Sequence, residues 1–249
     1  MAHIHGKAGE NALLKSQKIR MKLFWLTFLG LTGLAGGIGF LLGRAHSGNW
    51  KTIWLATIAI VVIILFILEK RFDKFLEGKF RTARLWRRGY EGERCVAELL
   101  ESELPDGFHV FNDVRFPGRA SNIDHIVVGP TGIFVLDTKN WRGTVAWAED
   151  GKTLLLNGAP QNSAKAALSD ALDVHDKLRA LLNREVFVKA VLVFPLAKVF
   201  PKLDTPVELQ QDDYLIEKRL TWNDKRNALS TKDVNEIVSA LGALFRESV

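Results

Sequence analysis

The chain has 249 residues, 47% of them hydrophobic, and a formal charge of +6. Its one cysteine, Cys95, excludes an intramolecular disulfide and a multi-cysteine zinc site, and suits a reducing compartment, where it is expected to be a buried helix residue. The charge is divided near residue 88: residues 1–88 hold 15 Lys and Arg against 4 Asp and Glu, a net of +11, while the rest holds 19 against 24, a net of −5. The basic character therefore belongs to the amino-terminal third, and is no evidence by itself for nucleic-acid binding.

Residues 1–22 form a basic amino-terminal segment with Lys15, Lys18, Arg20 and Lys22. Residues 23–42, "LFWLTFLGLTGLAGGIGFLL", are twenty in a row without a charge. At 1.5 Å of rise per residue, such a helix crosses a hydrocarbon core of about 30 Å. A second apolar run, Ile53 to Leu68, has Trp50 and Lys51 just before it and Trp54 at its start, residue types that suit the headgroup level, so the second span is read as 50–68. Only "GRAHSGNWK" separates the two runs, which makes 23–68 a transmembrane hairpin. Lys70, Arg71, Lys74, Lys79, Arg81 and Arg84 follow it, against Arg44 and Lys51 in the connection, so both termini are expected in the cytoplasm and the protein in the inner (plasma) membrane as a multi-pass protein. A cleaved signal peptide fits less well, because the first run exceeds the usual length and a second span follows. Gly33 with Gly37, and Gly39 with Gly43, have GxxxG spacing. That spacing would allow close helix approach and a homo-oligomer, although the commonness of glycine in membrane helices accounts for it slightly better. Residues 69–88 are a basic juxtamembrane linker suited to anionic lipid.

Residues 89–249 have the size of one domain. "EGERCVAELLESEL" carries Val96, Leu99 and Leu100 at helical spacing and is stopped by "PDG", which predicts a helix over 90–104. "FHVFNDVRF", "NIDHIVVG" and "GIFVLDTKN" read as three strands, the last two joined by "GPTG". "GTVAWAEDGKTLLLNG" reads as two more strands around an Asp-Gly turn. "PQNSAKAALSDALDVHDKLRALL" is a long amphipathic helix, "VFVKAVLVFP" a central strand, and "STKDVNEIVSALGALF" a closing helix with Ser230 as N-cap. Residues 196–229 give mixed signals and no assignment. This order predicts an α/β fold, a mixed β-sheet flanked by helices and preceded by two transmembrane helices.

Chemistry concentrates in "SNIDHIVVGPTGIFVLDTKN". On a strand Asp137 and Lys139 share a face, and Asp124 lies on the strand before, so pairing of the two strands brings two carboxylates and an ammonium to one sheet end. Crowded carboxylates are costly without a compensating charge. A divalent cation supplies one: two carboxylates suit Mg²⁺ and leave room for water and a substrate phosphate, while the lysine orients or deprotonates water or stabilises charge on the phosphate. His125 alternates with Asp124 and is expected to face away. Asn140, Trp141 and Arg142 lie where a substrate backbone could pass, although packing accounts for Trp141 as well.

"ID", then "LDTKN" a dozen residues later, with "GYEGE" on an upstream helix, resembles the PD-(D/E)xK endonuclease-like superfamily and within it the nuclease-related domain, NERD, over approximately residues 88–195. The resemblance implies a restriction-endonuclease-like fold and an active site of Glu93, Asp124, Asp137 and Lys139, with Gln161 at the start of the helix after the sheet as a further catalytic position. It implies Mg²⁺ or Mn²⁺ held by Asp124, Asp137 and Glu93, and nucleic acid as substrate, DNA favoured over RNA. The acid two residues before the lysine is Asp137, where NERD sequences more often have Glu, and the superfamily accepts either. Read without the resemblance, the same residues also allow an ion pair between Asp124 and Lys139, a turn cap at Asp137, a helix-dipole role for Glu93, and Glu91 as the helix ligand instead. Two functions follow as expectations: a membrane-anchored, metal-dependent nuclease, or a catalytically inactive, membrane-tethered module that binds nucleic acid or protein. The net of −5 favours the second, since phosphate binding calls for several Lys and Arg.

Overall fold

The computed structural model describes residues 2–6, isolated positions between 14 and 37, and residues 82–116, 121–202, 204–221 and 227–247. Apart from isolated positions in the first, the predicted spans 23–42 and 50–68 lie outside the described residues. Among the described residues no helix is long and apolar enough to cross a membrane. The chain divides into two compact units, one made of Leu13–Arg87 and the other of Met1–Ala12 with Arg88–Val249. Apart from residues 82–87 at the start of a helix that continues into it, everything below concerns the second unit.

Its main sheet has six strands: β1 (His3–His5), β2 (His109–Val114), β3 (Ile123–Gly129), β4 (Gly132–Thr138), β8 (Val188–Val193) and β10 (Val207–Gln210), adjacent in that order. The neighbours β2, β3 and β4 are antiparallel, whereas β1 runs parallel to β2, and β8 and β10 run parallel to β4, so the sheet is mixed as predicted. A smaller sheet has the order β7 (Ala159–Gln161), β6 (Leu154–Leu156), β5 (Gly143–Trp147) and β9 (Ala197–Phe200). The β5–β6 hairpin is the one that the Asp-Gly signal predicts: Gly151 has φ +63°, and Asp150 accepts the amides of Lys152 and Thr153 at 2.8 and 2.9 Å.

Helices cover both faces of the main sheet. On one face, helix α1 (82–103) buries Val96 and Leu100 against Val127, Phe134, Leu136 and Val191, with Leu215 and Leu220 from the short helix α3 (Asp212–Leu215) and the π-helical turn Ile216–Leu220. On the other, α2 (Ser163–Leu182) sets Ala167, Ala171, Val174 and Leu178 into a core with Ile126, Val128, Val135 and Leu192, joined by Ile237 and Leu241 of α4 (Thr231–Glu247). β4 is buried on both faces, which is why its sequence reads as an unbroken apolar run rather than an alternating one. Ser230 caps α4 as predicted: its Oγ accepts the Asp233 amide at 3.2 Å while Asp233 Oδ2 accepts the Ser230 amide at 3.1 Å, a closed capping box.

Three local expectations are corrected, and one unassigned stretch is filled. Helix α1 begins by 82 rather than 90, because "TARLWRR" contains good helix formers and no breaker; Gly89 and Gly92 therefore sit inside the helix, and Glu93 does not serve the dipole of its first turn. Cys95 is exposed, one 100° step away from the stripe of Val96 and Leu100. The helix expected from Pro160 starts at Ser163, and Ala159–Gln161 form a strand instead. The unassigned stretch after 195 supplies β9, β10, α3 and the π-helical turn.

Candidate active site

The strand directions gather the carboxyl ends of β2, β4, β8 and β10 and the amino end of β3 at one edge of the sheet. The register His125↔Leu136 places Asp124, one step further on, opposite Asp137. Asp124 is half-buried and Asp137 buried, and the Thr138 amide donates to Asp124 Oδ2 at 2.7 Å. Lys139 shares the face of Asp137 and donates its Nζ to Asp137 Oδ1, while its own amide donates to Val193 O at 2.8 Å, which seats the lysine on β8.

Charge interactions tie these groups together. Burial, then the negative charges of Asp137 and Glu93, hold the Asp124 carboxyl well above the usual carboxylate range, against the opposing pull of Lys139 and the Thr138 amide. Burial draws Lys139 down, but Asp137, Asp124 and Glu93 outweigh it and the ammonium sits above its ordinary value. Glu93 thus reaches the cluster electrostatically from α1. Glu91, on the same helix, is exposed.

Gly92 explains how α1 comes so close. A Cβ at Gly92 would lie 2.8 Å from Asn140 Cβ and 3.4 Å from Thr138 Cγ2, so helix and strand end touch where a side chain would stand. Asn140 Nδ2 closes the contact by donating to Arg88 O at 2.8 Å. Asn140 and Thr138 are therefore structural partners of the site that sequence pattern does not single out; both stand in "LDTKN", but their contact with α1 is a matter of packing. Trp141 packs on Phe194, ring centroids 5.5 Å apart, which fits its packing role. Gln161 ends β7, and its described hydrogen bond is local, from Nε2 to Ala159 O at 3.3 Å.

His125 faces away from the carboxylates, as alternation predicts. It is fully buried, its Nδ1 lies 2.7 Å from Asn112 Oδ1, and burial pushes the imidazole down to about 3. With the acceptor oxygen facing Nδ1, the network assigns the proton to Nδ1. An unfolded histidine titrates near 6.5, so between about 6.5 and 3 the unfolded chain binds a proton that the folded one refuses, and stability falls as pH falls through that window. The slope from this residue approaches about 1.4 kcal/mol per pH unit. His125→Leu is expected to be less stable at neutral pH, because Asn112 loses its partner, but to lose less stability than the parent chain between pH 6 and 4. Parallel acid limbs in urea titrations of the two would refute this account.

Among the described residues no group of three or more His, Cys, Asp or Glu is arranged to hold a metal ion. The oxygen donors that do meet are Asp124 and Asp137 across the β3–β4 pair, hard ligands of the type that Mg²⁺ and Mn²⁺ take, with room in such a shell for water and phosphate oxygens. Asp124, its carboxyl lifted by burial and then by the charges of Asp137 and Glu93, fits a cation in that position.

Residues 88–195 match the family model described as NERD, nuclease-related domain. An uncharacterized protein of Bacillus anthracis is 29% identical over 98 residues, 38% of this chain and 41% of that protein. A solved structure of a repair endonuclease from Pyrococcus abyssi aligns at a TM-score of 0.26 and 15% identity, covering 47% of this chain and 44% of that one. The chain thus spans less than half the length of each of these two relatives.

Proposed function

We propose that the chain is a membrane-anchored, divalent-metal-dependent nuclease that hydrolyses phosphodiester bonds of nucleic acid, DNA before RNA, on the cytoplasmic side. The observation that carries the reading is the meeting of Asp124, Asp137 and Lys139 at one sheet end with Glu93 beside them, inside the segment that matches the nuclease-related domain. Asp124 and Asp137 would hold the Mg²⁺ or Mn²⁺, and Glu93 would add negative charge. The bound cation supplies Lewis-acid polarisation of the phosphodiester. Lys139 keeps its proton among three carboxylates, which suits an ammonium that offsets charge growing on the phosphate, or protonates the leaving oxygen, better than it suits a base. The Thr138 amide and Asp137 fix the other two groups before substrate arrives. Gln161 would join from the end of β7.

Anchoring rests on the apolar runs 23–42 and 50–68. The test is cleavage of labelled single- and double-stranded DNA and RNA by the detergent-solubilised full chain with Mg²⁺, Mn²⁺ or EDTA. Cleavage with either metal and none in EDTA is expected. A folded chain that cuts nothing in either metal would end the nuclease reading and leave a tethered binding module, the alternative that the net of −5 over residues 89–249 favours.

A further inference from the structure

The unpaired cations of the compact unit are distributed unequally between the two ends of the main sheet. At the end remote from the carboxylates, Arg179 pairs with Glu185 at 2.9 Å and Arg184 with Asp233 and Glu236 at 2.8 and 3.1 Å, while Lys189 and Arg219 share Glu208 in the middle of the sheet. Elsewhere Arg94 pairs with Glu98, and Lys177 and Lys198 lie over the rings of Phe116 and Phe200. Among the described residues, the exposed cations of this unit whose side chains make no ion pair, hydrogen bond or ring contact are Arg88, Arg115, Arg142, Lys152, Lys165 and Lys232. Lys152 sits in the β5–β6 turn and Lys232 in the first turn of α4, whose start is tied to the remote end by the Leu229 amide on Pro130 O.

The other four stand at the carboxylate end. Arg88 lies on α1, its carbonyl held by Asn140 next to Lys139. Arg115 follows Val114, the last residue of β2, which pairs with Ile123 beside Asp124. Arg142 is three residues past Lys139, kept near the strand end by a tight turn in which the Trp141 amide donates to Lys139 O at 2.7 Å. Lys165 lies in the first turn of α2, whose far end leads into Val188 opposite Ile133, so that α2 runs back along β4 and starts at the carboxylate end. Arg115 thus continues β2, the neighbour of the strand that carries Asp124, and Arg142 follows the end of β4, the strand that carries Asp137. Neighbouring strands are about 4.8 Å apart, and an arginine reaches further than that, so both guanidiniums start within the span of a few nucleotides from the acids. One unpaired surface cation means little; two that adjoin a carboxylate cluster from different strands of an acidic domain are placed for an anion that extends past it.

We infer that Arg115 and Arg142, with Lys165, hold the phosphates on either side of the reacting one, so that the substrate is the interior of a polynucleotide strand rather than a strand end or a small phosphate ester. The inference rests on the nuclease reading for the identity of the centre, and the test separates the two. Binding of a labelled single-stranded DNA oligonucleotide to the solubilised full chain is measured in EDTA over a range of salt, for the parent, Arg115→Ala/Arg142→Ala, and the charge-matched pair Lys152→Ala/Lys232→Ala. The arginine pair is expected to weaken binding about tenfold or more and to flatten the salt dependence by about 0.7 for each phosphate left without its cation, while the lysine pair stays within about twofold. With metal, circular single-stranded DNA is expected to be opened, and hydrolysis of bis(p-nitrophenyl) phosphate, too small to reach either flank, to be the same in all three chains.

Equal weakening by both pairs, no weakening by the arginine pair, or no DNA binding by the parent would overturn the inference. So would a need for a free strand end, or loss of small-ester hydrolysis in the arginine pair alone. An arginine-specific loss of binding in a chain that hydrolyses nothing would instead bring down the catalytic reading and leave the phosphate seats standing.

Discussion

Lys139→Ala and Asp137→Ala are each expected to lower metal-dependent cleavage on the order of 100- to 1,000-fold, the usual cost of removing one charge-stabilising group from an active site. Asp124→Asn should match them in activity and differ from them in stability. Because burial and two carboxylates lift the Asp124 carboxyl, the folded chain holds a proton that the unfolded chain releases, and stability falls as pH rises from the ordinary carboxylate range through the raised value. At pH 7 the cation-free protein carries that penalty in full or in part. Asn removes it and keeps an oxygen for the Thr138 amide, so the variant should melt higher than the parent in EDTA, by about 2–4 °C for each kcal/mol recovered. Mg²⁺ or Mn²⁺ should raise the Tm of the parent and not that of the variant. Lys139→Ala should melt lower, since it takes away a cation that the carboxylates share. If Asp124→Asn lowers the Tm in EDTA, the acids are a structural ion cluster, and the case for a cation at Asp124 and Asp137 fails with it.

The parts of this site visible in the sequence are those that a strand's two-residue period controls. Asp137 and Lys139 share a face, His125 opposes Asp124, and the turn between the strands sets Asp124 against Asp137. Each follows from local geometry and a short connection. The position of α1 does not, because nothing in "GYEGE" says that Gly92 touches Asn140; that depends on how a helix lies across a sheet formed by residues dozens of positions later. β1 is invisible in the sequence for a related reason. His-Ile-His is too short to show alternation, and it becomes a strand only because β2 offers an open edge, with Ile4 against one core and His5 stacked on Phe111 at 4.4 Å. β9 and β10 are obscured by Pro195, Pro201 and Pro206, which read as loop signals yet fall between the strands.

The close approach at Gly92 leads to the second large effect. In Gly92→Ala the new methyl would stand 2.8 Å from Asn140 Cβ, an atom fixed by the backbone rather than a side-chain tip that can swing aside. The helix must lift away from the strand end, and Glu93 moves with it. Overpacking of this kind costs about 1–3 kcal/mol, partly offset by the roughly 1 kcal/mol that alanine contributes inside a helix. The stability change is therefore small while the catalytic one is large: a displacement near 1 Å in a positioning contact costs on the order of 100-fold in rate. Gly89→Ala, one turn earlier, is the matched comparison, because its methyl would come no nearer than 3.8 Å to Glu93 Oε1. That variant should gain up to about 1 kcal/mol from helix propensity and cleave like the parent. Cleavage assays and thermal melts of the pair decide the matter. If Gly92→Ala cleaves as well as Gly89→Ala, then the fit of α1 on Asn140 does not set the geometry of the carboxylates, and Glu93 is a bystander on an adjacent helix.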